Sequence, residues 1–372
     1  MNASPHERQP MWSTREELEA VLAQAGLGEW SPRLAAAARH AIILEPGPVE
    51  EGADAPIGAS RLGGMPDLLS EVPWPWRPAF SDRTVFKDHA ARPWPLSFVA
   101  QIDFAEILSA GGLEGFPSSG RLFFFCDPIL SSIGTSIEDQ TCASIMFLTE
   151  QPDRLGRRDF PVEFSNPGCR CRPRNFMFRP RRVTPKLWLL PPPWGSRELL
   201  ALHGAPPPPD TKPVAAWPPR MRWGQEHEAY HQFWKDLAEE HPNAFCAHGA
   251  IHQVGGIAFP WQDPLETDCV KYADDDYWHH PTVKAFHERI KKEGAASDWP
   301  DYEEACQAYD AFEARERATH FARADGWQHV LQIETDSEVG PWIGEGCLYV
   351  CIRKSDLAER RFDRCWTMLQ CT

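Results

Sequence analysis

The sequence predicts a mainly β fold, α+β by overall content, built from two roll-like β-modules with peripheral helices in a pseudo-symmetric arrangement. Three observations predict it. Short β-rich segments bounded by Gly, Pro and Ser recur along most of the chain. The same three signals occur in the same order in each half. Between the halves lies a proline-dense stretch that favours an extended connector.

Residues 1–45 are predicted to form an N-terminal helical segment. Ser13 and Glu16 have the spacing of a capping box, and Gly26 is predicted to end the helix that follows. Ser31 and Pro32 are typical of the first positions of a second helix, which we expect to run to residue 40. The β-branched run at 41–44 then marks the change to strands.

The first β-module is predicted over residues 46–184 and the proline-rich connector over residues 185–222. Strands of this module are expected where apolar, β-rich runs lie between turn residues. These runs are 95–104, 121–126, 145–148 and 162–164.

The second β-module is predicted over residues 223–372, and it carries a helical insertion at about 263–325. Its helices are predicted from apolar residues at helical spacing, at 225–240, 280–292, 302–324 and 355–360. Its strands are predicted at 327–334, 346–352 and 365–369.

A repeated motif indicates internal duplication. Gly-Gly, a proline and a tryptophan precede FVAQID and GRLFFF in the first half, and the same pattern precedes VLQIE and GCLYV in the second. The helical insertion accounts for the longer spacing in the second half. Gly-Gly permits positive φ and close backbone approach. We predict structural roles for the motif residues Gly63, Gly64, Pro66, Asp67, Gln101, Asp103, His252, Gln253, Gly255, Gly256, Gln262 and Gln332. His252 and Gln253 are expected to hydrogen-bond the adjacent Gly-Gly turn.

Composition and charge restrict the location and the partners. The chain has 372 residues, with 38 Lys and Arg against 53 Asp and Glu, and its net charge of -15 argues against nucleic acid and anionic membrane surfaces. It has no apolar run near the roughly 18 residues that span a bilayer. The N-terminus lacks the features of a signal peptide. We therefore expect a cytoplasmic protein with reduced cysteines and no membrane partner.

Prolines and tryptophans are frequent, at 36 and 16 residues, and they often adjoin, as at Trp74, Trp76 and Trp94. Proline breaks regular elements, and a large indole gains by burial, so loops held by buried tryptophans are the favoured interpretation. Aromatic and proline residues also form peptide-binding grooves, which is the alternative.

The repeated motif and the C-terminal segment resemble the YwqG-like family, a bacterial family of uncharacterised function. The matching stretches are LGGMPDL, PLSFVAQIDFAEI, GRLFFFCD, HQVGGIAFPWQ and the segment from Leu348 to Cys371. The resemblance extends from about residue 60 to the end of the chain. It implies a mainly β, duplicated fold with peripheral helices in a bacterial cytoplasm, and it supplies no catalytic residues.

Two constellations could carry chemistry. His227, Glu228 and His231 form an H-E-x-x-H motif on a predicted helix, where two histidines one turn apart could bind Zn²⁺ and the glutamate could activate water. The third ligand that such a site needs is not evident in the sequence. An arginine-rich segment is the other, an anion or partner patch formed by Arg170, Arg172, Arg174, Arg179, Arg181 and Arg182.

The leading hypothesis is a binding or interaction module without catalysis and without a cofactor. Its partner would be an unknown protein or small ligand, and the acidic net charge favours a basic one. It would use a groove between the modules or the aromatic-proline loops. The alternative is a zinc-dependent hydrolase that uses His227 and His231 as ligands and Glu228 as the general base.

Overall fold

The computed structural model describes residues 11–49, 56–80, 86–130, 134–162, 176–204, 224–246, 251–275, 277–293, 299–340 and 346–371. The strands in these ranges are β1 (Arg39–Val49), β2 (Arg61–Leu62), β3 (Asp67–Leu68), β4 (Trp76–Arg77), β5 (Trp94–Pro95), β6 (Ser97–Asp103), β7 (Arg121–Cys126), β8 (Ala143–Leu148), β9 (Gly156–Arg157), β10 (Arg181–Leu190), β11 (Gln253–Val254), β12 (Trp327–Glu334), β13 (Gly346–Arg353) and β14 (Trp366–Cys371). The α-helices are α1 (Arg15–Leu22), α2 (Ser31–Ala37), α3 (Lys87–Ala90), α4 (Phe104–Ser109), α5 (Ile137–Gln140), α6 (Arg197–Leu202), α7 (Gly224–Glu240), α8 (Leu265–Cys269), α9 (Pro281–Glu293), α10 (Tyr302–Arg323) and α11 (Lys354–Ala358).

Ten strands form one antiparallel sheet in the order β14-β13-β12-β11-β1-β10-β2-β6-β7-β8. The long central pair β1 and β10 runs in register from Arg39 opposite Leu190. The sheet is nearly closed, and residues beside its two edges meet. The Gln140 amide accepts from the Thr367 N–H at 2.8 Å and donates to the Thr367 carbonyl at 2.9 Å. This side chain therefore pairs with the backbone of edge strand β14, which would otherwise expose unpaired groups.

The N-terminal helix begins one residue later than the sequence predicts. Thr14, not Ser13, accepts from the Glu17 N–H, and the Glu17 side chain completes the capping box. Ser13 with Glu16 and Thr14 with Glu17 have the same spacing, so packing decides between them. Leu18 and Leu22 are fully buried on the helix that results. The second helix ends at Ala37 and not at residue 40 as predicted, because β1 already begins at Arg39.

The long strands and helices follow the sequence prediction to within a few residues. Strand β10 is the correction: residues 185–190, predicted to begin the connector, pair with β1. Pro185 lies in this strand opposite Leu44. Pairing between segments more than a hundred residues apart has no local sequence signal. The prolines that follow the strand also favour the prediction of a connector over that of a strand. Most of the remaining connector, like the strand predicted at 162–164 beyond residue 162, lies outside the described residues.

The first repeated motif is held by a glutamine on β6. Gln101 pairs with Arg61 of β2. The Gln101 Nε2 donates to the Ala59 carbonyl at 2.9 Å, and its Oε1 accepts from the Asp67 N–H at 3.0 Å. Gln101 is fully buried. One amide side chain thus fixes the backbone on both sides of the Gly-Gly turn.

The second repeated motif has the same geometry around Gln332 of β12, which pairs with Gln253 of β11. The Gln332 Nε2 donates to the Ile251 carbonyl at 2.8 Å, and its Oε1 accepts from the Phe259 N–H at 2.9 Å. In each motif the acceptor lies two residues before, and the donor six residues after, the strand residue that pairs with the glutamine. The two motifs therefore occupy matching places on either side of β1 and β10.

Apolar clusters lie on both faces of the sheet. One face carries the largest cluster, which includes Ile42, Val99 and Val350. On the other face, α1, α2 and α7 cover β1 and β10, and α8 packs against Tyr349 and Trp366. Among the described helices, none has both the length and the apolar character that crossing a lipid bilayer requires.

The aromatic-proline loop at Trp74 packs against Phe98 of β6 and Phe125 of β7. Trp74 and Trp94 are buried, and the Trp74 indole N–H donates to the Leu96 carbonyl at 2.9 Å. Trp76 is half exposed. Burial of Trp74 and Trp94 supports the interpretation of these loops as indole-anchored core elements.

Candidate functional site

The motif residue Asp67 lies at the centre of a buried ionic network. Its carboxylate is 3.0 Å from Arg61 Nη1 and 2.8 Å from Arg157 Nε. It also accepts from the Gly58 N–H at 2.8 Å and from Gln101 Nε2 at 3.1 Å. Burial raises the pKa of Asp67, but the hydrogen bonds and charges of Arg157 and Arg61 outweigh it and lower the pKa. Both carboxylate oxygens accept from groups of the fold, which makes this network structural.

Asp103 has an equally internal role. Its Oδ1 accepts from the Ala105 N–H at 3.0 Å and caps α4, and its Oδ2 is 2.9 Å from Arg121 Nη2. The backbone of Asp103 donates to the Ser60 hydroxyl at 2.9 Å. The matching N–H of Glu334 donates to Nδ1 of His252 at 3.2 Å.

His252 is fully buried and faces three polar neighbours. Its Nε2 is 3.4 Å from Cys246 Sγ and 3.9 Å from Asp336 Oδ2, and Asp336 in turn binds Arg181 at 2.6 Å. Because Nδ1 accepts a backbone hydrogen bond, Nε2 carries the proton of the neutral ring and cannot take one from the thiol. Burial raises the pKa of Cys246 and lowers the pKa of His252. This cluster therefore lacks an activated nucleophile.

The second Gly-Gly turn is held by neighbouring side chains. As predicted, Gln253 bonds this turn, its Nε2 donating to the Gly255 carbonyl at 3.2 Å and to the Ile257 carbonyl at 2.8 Å. His329, which the sequence did not single out, has Nδ1 3.0 Å from the Gly255 carbonyl. Gly256 has a φ of 68°, and a Cβ there would lie 2.5 Å from Ala41 Cβ. Only glycine fits this position.

The remaining motif residues also contact the fold. A Cβ at Gly63 would lie 2.3 Å from the Arg179 carbonyl, and Gly64 has a φ of 73°. The Pro66 carbonyl accepts from the Arg158 N–H at 3.0 Å. The Gln262 side chain donates to the Cys371 carbonyl at 2.7 Å. The motif thus builds the sheet and its turns.

The H-E-x-x-H residues lie on α7, whose apolar face packs on the N-terminal helices. The His227 ring lies 4.9 Å from the ring of Trp194, and His231 and Glu228 are exposed. Within the described ranges, no group of three His, Cys, Asp or Glu residues could hold a metal ion. The motif therefore has two histidines at ligand spacing without a third protein ligand among those residues.

We expect His231→Ala to leave the zinc content of the purified, untagged protein unchanged, because two histidines and solvent do not make a strong zinc site. Elemental analysis of the wild type and of the His227→Ala/His231→Ala double variant measures this. A stoichiometric zinc content that the double variant loses would contradict the expectation and favour the hydrolase.

The arginine-rich segment is only partly described. Arg170, Arg172 and Arg174 lie outside the described residues. Arg181 binds Asp336 and also donates to the Gly47 carbonyl at 2.5 Å, so its charge is used within the fold. Arg179 and Arg182 are exposed.

A cleft of about 510 Å³, counted with its solvent-open space, lies between α6, α8 and α10. None of the residues that line it was selected from the sequence as a candidate. It lies in the predicted helical insertion, apart from its wall on α6.

The cleft contains two ion pairs of its own. Arg317 Nη2 is 3.3 Å from Asp263 Oδ1, and Lys271 Nζ is 3.4 Å from Glu313 Oε2. His320 also lines the cleft, and burial lowers its pKa, so the ring is neutral at pH 7. The two cations are thus each matched to one acid.

Asp268 is the third acid of the cleft, and no cation forms an ion pair with it among the described residues. Its Oδ2 accepts one hydrogen bond, from Gln370 Nε2 at 3.2 Å. Burial, followed by the nearby charge of Asp263, raises the pKa of Asp268 to about 7. A carboxyl with a pKa near neutrality in a cleft is typical of functional sites.

Thr267, the neighbour of Asp268 on α8, also lines the cleft. Its side chain is buried, with 7% exposure. Its hydroxyl has no hydrogen-bond partner in the described part of the chain. A buried hydroxyl without a partner costs about 1–3 kcal/mol, which a bound polar group would offset. Thr267 and Asp268 therefore place two adjacent acceptors in the wall of the cleft, with the hydroxyl buried in that wall.

The model of the DUF1963 family, a domain of unknown function, matches residues 60–371. No curated protein matches the chain. The family match includes both repeated motifs, the helical insertion and the cleft residues on α8 and α10. Because it covers most of the chain, the protein belongs to the DUF1963 family.

Proposed function

We propose that the protein is a binding module without catalysis and that the cleft between α6, α8 and α10 receives a positively charged group of its ligand. The observation that carries the proposal is the pair Thr267 and Asp268, a buried hydroxyl without a described partner beside a carboxylate without a described cation. Both would gain a partner from a bound ammonium group. Fixed acceptors in a concave site are how small ligands are oriented.

The charges in the cleft favour a cation over an anion. Two of the three acids are paired with Lys271 and Arg317, which leaves Asp268 as the excess charge. A monocation would neutralise it, and an anion would add to the repulsion. The net charge of -15 for the whole chain acts in the same direction.

The binding hypothesis accounts for more of the structure than the zinc hydrolase does. A hydrolase needs a metal with an open position or an activated nucleophile. The described residues offer His227 and His231 without a third ligand, and the thiol of Cys246 beside a histidine that cannot accept its proton. The cleft needs no chemistry beyond hydrogen bonding and ion pairing.

We also propose that the two halves are duplicated copies of one β-module in a YwqG-like protein of the bacterial cytoplasm. The matching bonds of Gln101 and Gln332 support the duplication. The amino-acid sequences of the motifs support the YwqG-like relationship.

Calorimetric titration with n-pentylamine tests the proposed function. We expect binding at pH 8, where Asp268 is ionised, and a loss of about ten-fold in affinity in Asp268→Asn and in Thr267→Val, since each removes one acceptor of the ammonium. Glu266→Gln, on the same helix but outside the cleft lining, is the control and should bind as the wild type does. If n-pentylamine does not bind, or binds equally to Asp268→Asn, the proposal is wrong.

A further inference from the structure

The cleft also offers unused donors, on Arg317. A guanidinium has five N–H donors. Within the described part of the chain, Arg317 makes one hydrogen bond, to Asp263 at 3.3 Å, and its side chain is 41% exposed. Arg317 also lines the cleft, and an exposed guanidinium with further N–H groups suits the two oxygens of a carboxylate.

Donors and acceptors are therefore both open in one cavity. Arg317 lies near enough to Asp268 for its charge to act on that carboxyl, yet the two do not form an ion pair. Asp263, which accepts from Arg317, lies five residues before Asp268 and holds the arginine on its own side of the cleft. A ligand that carries an ammonium and a carboxylate close together matches this arrangement.

We infer, on the basis of the proposed function, that the occupant of the cleft is an α-amino acid or a short peptide end of the same zwitterionic chemistry. Its ammonium group binds Asp268 and the Thr267 hydroxyl, and its carboxylate binds Arg317. Its side chain lies against the apolar part of the lining, which Leu200, Pro264 and Phe321 provide.

The ammonium and the carboxylate of such a ligand each bind a different part of the cleft. An amine without a carboxylate leaves the donors of Arg317 unused. A carboxylate without an amine meets Asp268 with no compensating charge, and like charges in a partly buried site repel. The apolar lining favours an aliphatic or aromatic side chain over a charged one.

Three probes of one carbon skeleton separate these features: L-norleucine, n-pentylamine, which lacks the carboxylate, and hexanoate, which lacks the amine. We expect L-norleucine to bind about ten-fold tighter than n-pentylamine, and hexanoate to bind weakest. Arg317→Met should bring the affinity for L-norleucine down to that for n-pentylamine and should not weaken n-pentylamine. Arg315→Met, also on α10, exposed and outside the cleft lining, is the matched control and should change neither.

The outcomes distinguish this inference from the proposed function. If n-pentylamine binds as tightly as L-norleucine and Arg317→Met changes neither affinity, the ligand is a simple cation. The inference of a zwitterionic ligand is then wrong, and the proposed function stands. If hexanoate binds tightest, the site selects anions and both are wrong. If none of the three probes binds to the wild type at pH 8, both are wrong as well.

Discussion

Asp67→Ala is expected to lower the free energy of unfolding by about 3–5 kcal/mol, which is the usual cost of removing one partner of a buried ion pair. Arg61, at 1% exposure, would keep its charge and lose its anion. Gly58 would lose the acceptor of its N–H, and Arg157 would lose both bonds to the carboxylate. Urea unfolding followed by tryptophan fluorescence measures the change.

The matched control is Asp363→Ala, because Asp363 pairs with Arg361 at similar distances but in an exposed place. That variant should lose less than about 1 kcal/mol, as exposed ion pairs do. An Asp67→Ala variant that unfolds within about 1 kcal/mol of the wild type would show that Arg61 finds another partner, and the network would then not be structural.

The elements that the sequence predicted correctly are those whose pattern is local. Strands β6, β7, β12 and β13 are recognisable as short runs rich in β-branched, aromatic and other apolar residues, and nearly all of their residues are buried. The repeated motif also identified Gln101 and Gln332, although not the bonds they make. Strand β10 was missed because its pairing with β1 is decided by contacts distant in sequence, and Pro185 argues against a strand locally.

The cleft could not be predicted for the same reason. Its residues lie at separated positions on α6, α8 and α10, and only the tertiary fold brings them together. In sequence, Thr267 and Asp268 belong to an acidic stretch that resembles a solvated surface. The candidates identified from the sequence, H-E-x-x-H and the arginine run, are local patterns. A local pattern indicates which residues share a helix face, but it does not show which distant residues come together in a site.

Asp268→Asn is expected to stabilise the protein at pH 8 while it weakens ligand binding about ten-fold. The pKa of Asp268 is raised to about 7 in the fold from an ordinary value of 3.8. Between these values the folded state holds a proton that the unfolded chain has released, so stability falls as pH rises and is lowest above pH 7. Asparagine does not titrate and removes this penalty.

The difference in free energy of unfolding between Asp268→Asn and the wild type should therefore grow by about 1–2 kcal/mol between pH 5 and pH 8. Solvent screening of the partly exposed carboxyl keeps this difference below what the full pKa shift would give. Urea unfolding at several pH values measures it. Glu266 has its pKa raised to about 7 by burial and by Glu198. It does not line the cleft.

Glu266→Gln should consequently give the same pH-dependent gain and keep its affinity for n-pentylamine. This contrast separates two reasons why the fold contains a carboxyl whose pKa is raised by burial. A residue that costs stability and is needed for binding is retained for function, whereas one that costs stability without affecting binding is only badly placed. If Asp268→Asn were less stable than the wild type at pH 8, Asp268 would be holding the fold through Gln370, and the assignment of the cleft as a binding site would lose its main support.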